Sequence, residues 1–154
     1  MAAIQPDRFG SLRLVPASSS DVLVVFGITG DLAKLMTLKS LYLLDRAGRL
    51  DVPIVGVAFD DWRRGEALRR EVRGVEVDED VFARFSARLR YVSGDFSDAA
   101  TYDRVKQAIG DAQAPMFYLE VPPALFATVI GGLHAARLTD NCRAVIEKPF
   151  GHDL

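Results

Sequence analysis

The chain has 154 residues, 49% of them hydrophobic and 26% charged, which fits one globular domain with a real core. Its 19 basic and 21 acidic residues leave a formal charge of −2, which argues against general affinity for nucleic acid or an anionic membrane, since either needs a basic surplus or stripe. A single cysteine, Cys142, excludes an intrachain disulfide and a thiolate metal cluster, and no apolar run approaches the ~18 residues of a membrane span.

Residues 1–20 read as a flexible leader. Pro6, Pro16 and Ser18-Ser19-Ser20 fall in a stretch with no sustained apolar period and no signal-peptide core. The domain is expected over 21–154, and a soluble cytoplasmic location is the simplest reading. Val22-Leu23-Val24-Val25-Phe26 is a continuous apolar run, the mark of a strand buried on both faces. Gly27 to Gly30 breaks it, and a helix is expected from Asp31 to about Ala47, with Gly48 as its stop.

The alternation continues with a second strand at Pro53–Ala58. Charged helical segments follow near Arg64–Arg73 and Asp80–Arg88, then a third strand at Arg90–Ser93. A helix from about Ala99 to Ile109 leads to a fourth strand at Met116–Leu119. Pro122 and Pro123 suit the start of a helix over Leu125–Ala136, and Arg143–Ile146 is a fifth strand. Strands alternating with helices predict βαβ units, hence an α/β fold with a doubly wound parallel sheet of the dinucleotide-binding, Rossmann-like type.

The turn after the first strand is the most informative place. In Gly27-Ile28-Thr29-Gly30-Asp31-Leu32-Ala33, Gly27 allows a tight turn and Gly30 lets the backbone approach a pyrophosphate. The first N–H groups of the helix, at its positive end, would bind that anion. Thr29 stands where the middle glycine of G-x-G-x-x-G would be, and Asp31 adds a negative charge beside the phosphate position. A purely structural turn with helix-capping residues is the alternative.

After the second strand, an acidic residue favours the ribose hydroxyls of NAD and an arginine favours the 2′-phosphate of NADP. The stretch Val57-Ala58-Phe59-Asp60-Asp61-Trp62-Arg63-Arg64 holds both signals, and a solvated helix start explains it equally well. Two further loops end strands: Tyr118-Leu119-Glu120-Val121-Pro122-Pro123 and Glu147-Lys148-Pro149-Phe150-Gly151. Lys148 would place a cation at the mouth of the crevice, against a phosphorylated or oxyanionic substrate. A lone lysine there is otherwise a solvated surface residue.

Taken together, FGITGDLAK (Phe26–Lys34), YVSGDFSD (Tyr91–Asp98), FYLEVPP (Phe117–Pro123) and VIEKPFGHDL (Val145–Leu154) closely resemble the amino-terminal domain of the glucose-6-phosphate dehydrogenase family, over about Asp21 to Leu154. The resemblance implies NADP-linked oxidation of glucose 6-phosphate to its lactone, the entry to the pentose phosphate pathway. It assigns the pyrophosphate loop to Gly27, Ile28, Thr29, Gly30, Asp31 and Leu32, and the adenosine side to Asp95. Tyr118 falls beside the nicotinamide end, and Lys148 touches both substrate and cofactor.

Two departures stand out. Phe59, followed by Asp60, occupies the position of the family's 2′-phosphate-pairing arginine, so NAD is possible beside NADP, with Arg63 or Arg64 compensating. The family's second domain, with its histidine base and most sugar-phosphate ligands, is expected to be absent from these 154 residues, and neither His134 nor His152 matches that base. A fragment that binds cofactor without turnover is the expectation, with homo-oligomers only through the second domain. The competing readings are a non-catalytic NADP-sensing module, which leaves VIEKPFGHDL without a purpose, and a structural interaction domain, which leaves the glycine turn unexplained.

Overall fold

The computed structural model describes residues 2–6, 12–16, 19–31, 33–62, 68–69, 71–72 and 74–146. Five parallel strands form the central sheet: β3 (Val22–Phe26), β4 (Ile54–Ala58), β5 (Leu89–Ser93), β6 (Pro115–Leu119) and β7 (Arg143–Ile146), in the order β5-β4-β3-β6-β7. The expected doubly wound α/β sheet is therefore present. The chain starts in the middle, winds outward to one edge, then returns to β6 and winds to the other.

Helices carry these connections. A π-helical turn (Ala33–Thr37) runs into α1 (Leu38–Arg46) after β3, and α2 (Glu79–Arg88) precedes β5. On the return path, α3 (Ala99–Ile109) joins β5 to β6, and a 3₁₀ turn (Pro123–Leu125) with α4 (Phe126–Ala135) joins β6 to β7. Of the helix expected near Arg64–Arg73, the buried Leu68 and Val72 are described, while Arg63 and Arg64 lie outside the described residues.

Side chains alternate across the sheet, so two cores result. Val22, Val24 and Phe26 face Tyr102, Val105, Val129 and Leu133 of α3 and α4. Val25, Ile54, Ala58 and Leu89 face Leu38, Leu41 and Tyr42 of α1 and Phe82 and Phe85 of α2. All of β4 is buried, as its uninterrupted apolar sequence requires. β7 departs from the expectation of a sheet covered on both faces: Val145 is 37% and Ile146 44% exposed, because β7 is an edge strand.

Asp45, 1% exposed, fixes α1 to α2. Its Oδ1 accepts from Arg84 Nε at 2.6 Å and its Oδ2 from Arg88 Nε at 2.9 Å. Two arginines on one buried carboxylate compensate both its charge and its place near the negative end of α1. The helix starts are capped locally: Asp78 accepts from the N–H groups of Asp80 and Val81, and Asp98 from that of Ala100.

Two segments of the leader expected over 1–20 form strands. β1 (Ala2–Pro6) and β2 (Leu12–Pro16) pair antiparallel, Ala2 opposite Pro16 and Pro6 opposite Leu12, in a sheet separate from the other five strands. Main-chain pairing within a hairpin needs no apolar period, so hydrophobic patterning does not reveal it.

Candidate functional site

The winding reverses between β3 and β6, whose carboxyl ends mark the place at which such sheets take ligands. Gly27 turns the chain there with φ 84°, its N–H donating to Val57 O at 2.7 Å. A Cβ on Gly27 would lie 2.3 Å from Glu120 O, so the loop after β3 is pressed against the loop after β6. The N–H of Gly30 donates to Gly27 O at 2.9 Å and closes the turn. That leaves anion contact to Thr29 and the following helical residues rather than to the N–H of Gly30.

Ile28 faces inward. It is fully buried, and a Cβ on Gly56 would lie 2.7 Å from its Cδ1. Glycine in the middle of β4 therefore makes room for Ile28, which anchors the loop from beneath and offers a ligand only its main chain. The helix that follows begins at Asp31, as expected, and passes through a π-helical turn at Ala33–Thr37 before α1.

Beside the loop lies a cavity of about 900 Å³, on the α1 side of the sheet. Its wall includes Met36, Leu41, Met116, Tyr118 and Val145, and Gly30, Asp31 and Glu120 add polar groups. The Thr37 hydroxyl donates to Glu120 Oε1, tying the helix start to the end of β6. The size and the mix of apolar wall with few polar groups match a small-molecule site.

The structure thus divides the expected residues into groups. Gly30, Asp31 and Tyr118 share the cavity, and Gly27 and Ile28 are not part of its lining. Thr29 turns toward β4, where its hydroxyl donates to Asp60 Oδ2 at 2.8 Å. Asp95 stands beyond β5 and does not line the cavity. Its Oδ1 accepts from Ser97 N at 2.7 Å and Ser97 Oγ at 2.6 Å, bonds that hold its carboxyl below the usual range. Its main-chain oxygen accepts from Thr101 Oγ1 at 2.7 Å, so Asp95 also shapes the entry to α3. Leu32 and Lys148 lie outside the described residues.

The sequence reading quoted Glu120 and Tyr91 within the FYLEVPP and YVSGDFSD motifs without giving either a role, and did not single out Thr37. Thr37 and Glu120 meet across 83 positions, and the Tyr91 phenol donates to Asp60 O. Among the described residues, no group of three His, Cys, Asp or Glu side chains could hold a metal ion, and no helix is long and apolar enough to cross a membrane.

Residues 24–154 match the family model described as glucose-6-phosphate dehydrogenase, NAD binding domain. The chain belongs to this family. The glucose-6-phosphate 1-dehydrogenase 1 of Mycobacterium bovis is 49% identical over 140 residues, covering 88% of this chain and 30% of the relative. The crystal structure of glucose-6-phosphate 1-dehydrogenase from Mycobacterium avium superposes with a TM-score of 0.81 at 45% identity, over 87% of this chain and 30% of that one. A glucose-6-phosphate dehydrogenase in complex with glucose-6-phosphate gives 0.74 at 30% identity, over 90% and 33%. The chain accordingly spans about a third of the length of the glucose-6-phosphate dehydrogenases it matches.

Proposed function

We propose that this chain is the cofactor-binding part of an enzyme that oxidises glucose 6-phosphate at carbon 1 to 6-phosphogluconolactone, in the oxidative pentose phosphate pathway of the cytoplasm. NADP is the cofactor, with NAD also accepted. The observation that carries this reading is the Gly27–Gly30 turn at the reversal point of a parallel sheet, in a chain of the glucose-6-phosphate dehydrogenase family. The bound cofactor supplies the hydride acceptor.

The chain's own residues bind and orient. The loop from Gly27 to Leu32 holds the pyrophosphate through the N–H of Thr29 and those that follow Gly30, the N–H groups of Gly27 and Gly30 being used within the protein, with Ile28 as its internal anchor. The absence of a side chain at Gly30 fits a group that must come close to the backbone. Asp60 and Asp95 border the adenosine end, Tyr118 the nicotinamide end, and Lys148 meets both the sugar phosphate and the cofactor.

The 154 residues bind cofactor without oxidising the sugar, and self-association belongs to the part of the longer relatives outside this stretch. His134 has Nδ1 3.3 Å from Thr139 Oγ1 just beyond α4, away from the cavity wall, and does not serve as the base. Missing general-base catalysis alone costs about 10²–10⁴-fold. Calorimetry with NADP, paired with a spectrophotometric assay on glucose 6-phosphate, tests both halves. Binding without turnover is expected; steady NADPH production by the purified chain would overturn the second half.

A further inference from the structure

The charges in the cavity wall are of one sign. Among the described residues, that wall holds the carboxylates of Asp31 and Glu120 and no lysine, arginine or histidine. The two acids are held differently. Asp31 is exposed, at the start of the helix after β3. Glu120 is half-buried just beyond β6, with its Oε2 shut off from solvent. Its Oε1 accepts from the Thr37 hydroxyl, and its main-chain N–H donates to Phe26 O at 2.9 Å. A glutamate at a strand end ordinarily samples many rotamers, whereas here main chain and carboxylate are both fixed.

From this placement we infer that Glu120 discriminates between the redox states of the cofactor, holding the oxidised form more tightly than the reduced one, and that Thr37 is its positioning residue. The inference rests on the dinucleotide reading proposed above, in which Tyr118 borders the nicotinamide end. Tyr118 and Glu120 lie two positions apart at the end of β6 and line the same cavity, as alternation along a strand requires. An oxidised nicotinamide ring carries a positive charge. The hydride it accepts brings one hydrogen and two electrons and leaves the ring neutral, while the rest of the dinucleotide keeps its charge. A fixed carboxylate beside the ring therefore favours one state and not the other, and only such a differential contact can separate them.

The surroundings strengthen the effect. Met36, Met116, Tyr118 and Val145 supply an apolar wall, so the field of Glu120 acts through a medium of low polarity. Thr37 holds the carboxylate against the helix start, which fixes its distance from the ring. A site with this preference takes up the hydride acceptor and releases the reduced product. It also lowers the potential of the bound couple, by about 30 mV for each tenfold of preference.

The test is calorimetry of NADP and NADPH on this chain and on Glu120→Gln, Thr37→Val, Thr37→Ser and Asp31→Asn. Glu120→Gln keeps the size and the acceptor for Thr37 and removes the charge. It should weaken NADP by roughly tenfold and leave NADPH within about twofold. Thr37→Val should shift the ratio of the two dissociation constants the same way by roughly threefold, and Thr37→Ser should restore it. Asp31→Asn removes a charge near the pyrophosphate, which is the same in both forms, so both affinities should change alike. Equal changes in both forms with Glu120→Gln, or none, overturn the inference and leave the dinucleotide reading standing. So does a shift with Asp31→Asn as large as with Glu120→Gln. If Glu120→Gln does not fold, the Thr37 pair decides, a wild-type ratio in Thr37→Val overturning the inference. A wild-type chain that binds neither form overturns both readings.

Discussion

Gly27 and Glu120 approach so closely that a single added methyl on Gly27 would lie 2.3 Å from the Glu120 carbonyl oxygen. The contact is between main chains, so no side-chain rotation can relieve it. Gly27→Ala adds a left-handed backbone conformation to this overlap, each with a cost of about 1–3 kcal/mol. Urea unfolding should show a loss of that order or more, with the two loops moving apart. An unchanged midpoint would mean that the loops separate freely.

Gly30→Val separates binding from stability. A Cβ on Gly30 would meet Gly27 O at 3.1 Å, a tight contact that the exposed loop can absorb by a small shift. The branched side chain would then project where the pyrophosphate has to approach. Calorimetry should find NADP binding lost while thermal unfolding shifts little. Unchanged affinity would place the phosphate loop elsewhere.

Phe59→Arg addresses cofactor choice. Phe59 is 71% exposed, so its replacement should change stability by no more than about 0.5 kcal/mol. A guanidinium at this position offers a bidentate partner to a 2′-phosphate, and one charge-assisted hydrogen bond contributes about 1.5–3 kcal/mol. The preference for NADP over NAD should rise by roughly ten- to hundredfold. Indifference to the change would show that another residue holds the 2′-phosphate.

Asp21 makes stability depend on pH. Its carboxylate accepts from Gln113 N at 2.6 Å and Ala114 N at 2.9 Å, clamping the start of β3 to the start of β6. The Gln113 bond is the main cause of its lowered pKa. Because the folded value is depressed, the stabilisation is fully present above the unfolded value near 3.8 and is lost as pH falls through the folded one. Asp21→Asn should therefore lower stability at neutral pH and flatten its decline in acid. Unfolding curves from pH 7 downward that stay parallel in the two proteins would contradict this.

How much of the molecule is legible in the sequence depends on how local each signal is. Val22–Phe26 and Ile54–Ala58 are buried on both faces, so an unbroken apolar run marks each directly. The β1–β2 hairpin is held by its own main chain and leaves no such trace. At the site, the glycine turn is visible because backbone geometry alone demands Gly27. The partners of Asp60 are not: Thr29 and Tyr91 each lie 31 positions from it, and the order of the strands alone makes them neighbours. Ile28 was read with the binding loop because of its position in the motif, and burial shows that its side chain serves the core.

The place of β3 in the sheet bears on how the protein assembles. β3 pairs with β4 on one side and with β6 on the other, Val22 lying opposite Pro115. During synthesis, β3, β4 and β5 are all made before β6 exists, so β3 presents an open edge for that interval. Such edges recruit other chains, and distant pairings close slowly. Pulse-labelled hydrogen exchange should find the β3–β4 ladder protected before the β3–β6 ladder. The same seam brings Glu120 to Gly27, so the contact between these two loops should be among the last to be protected.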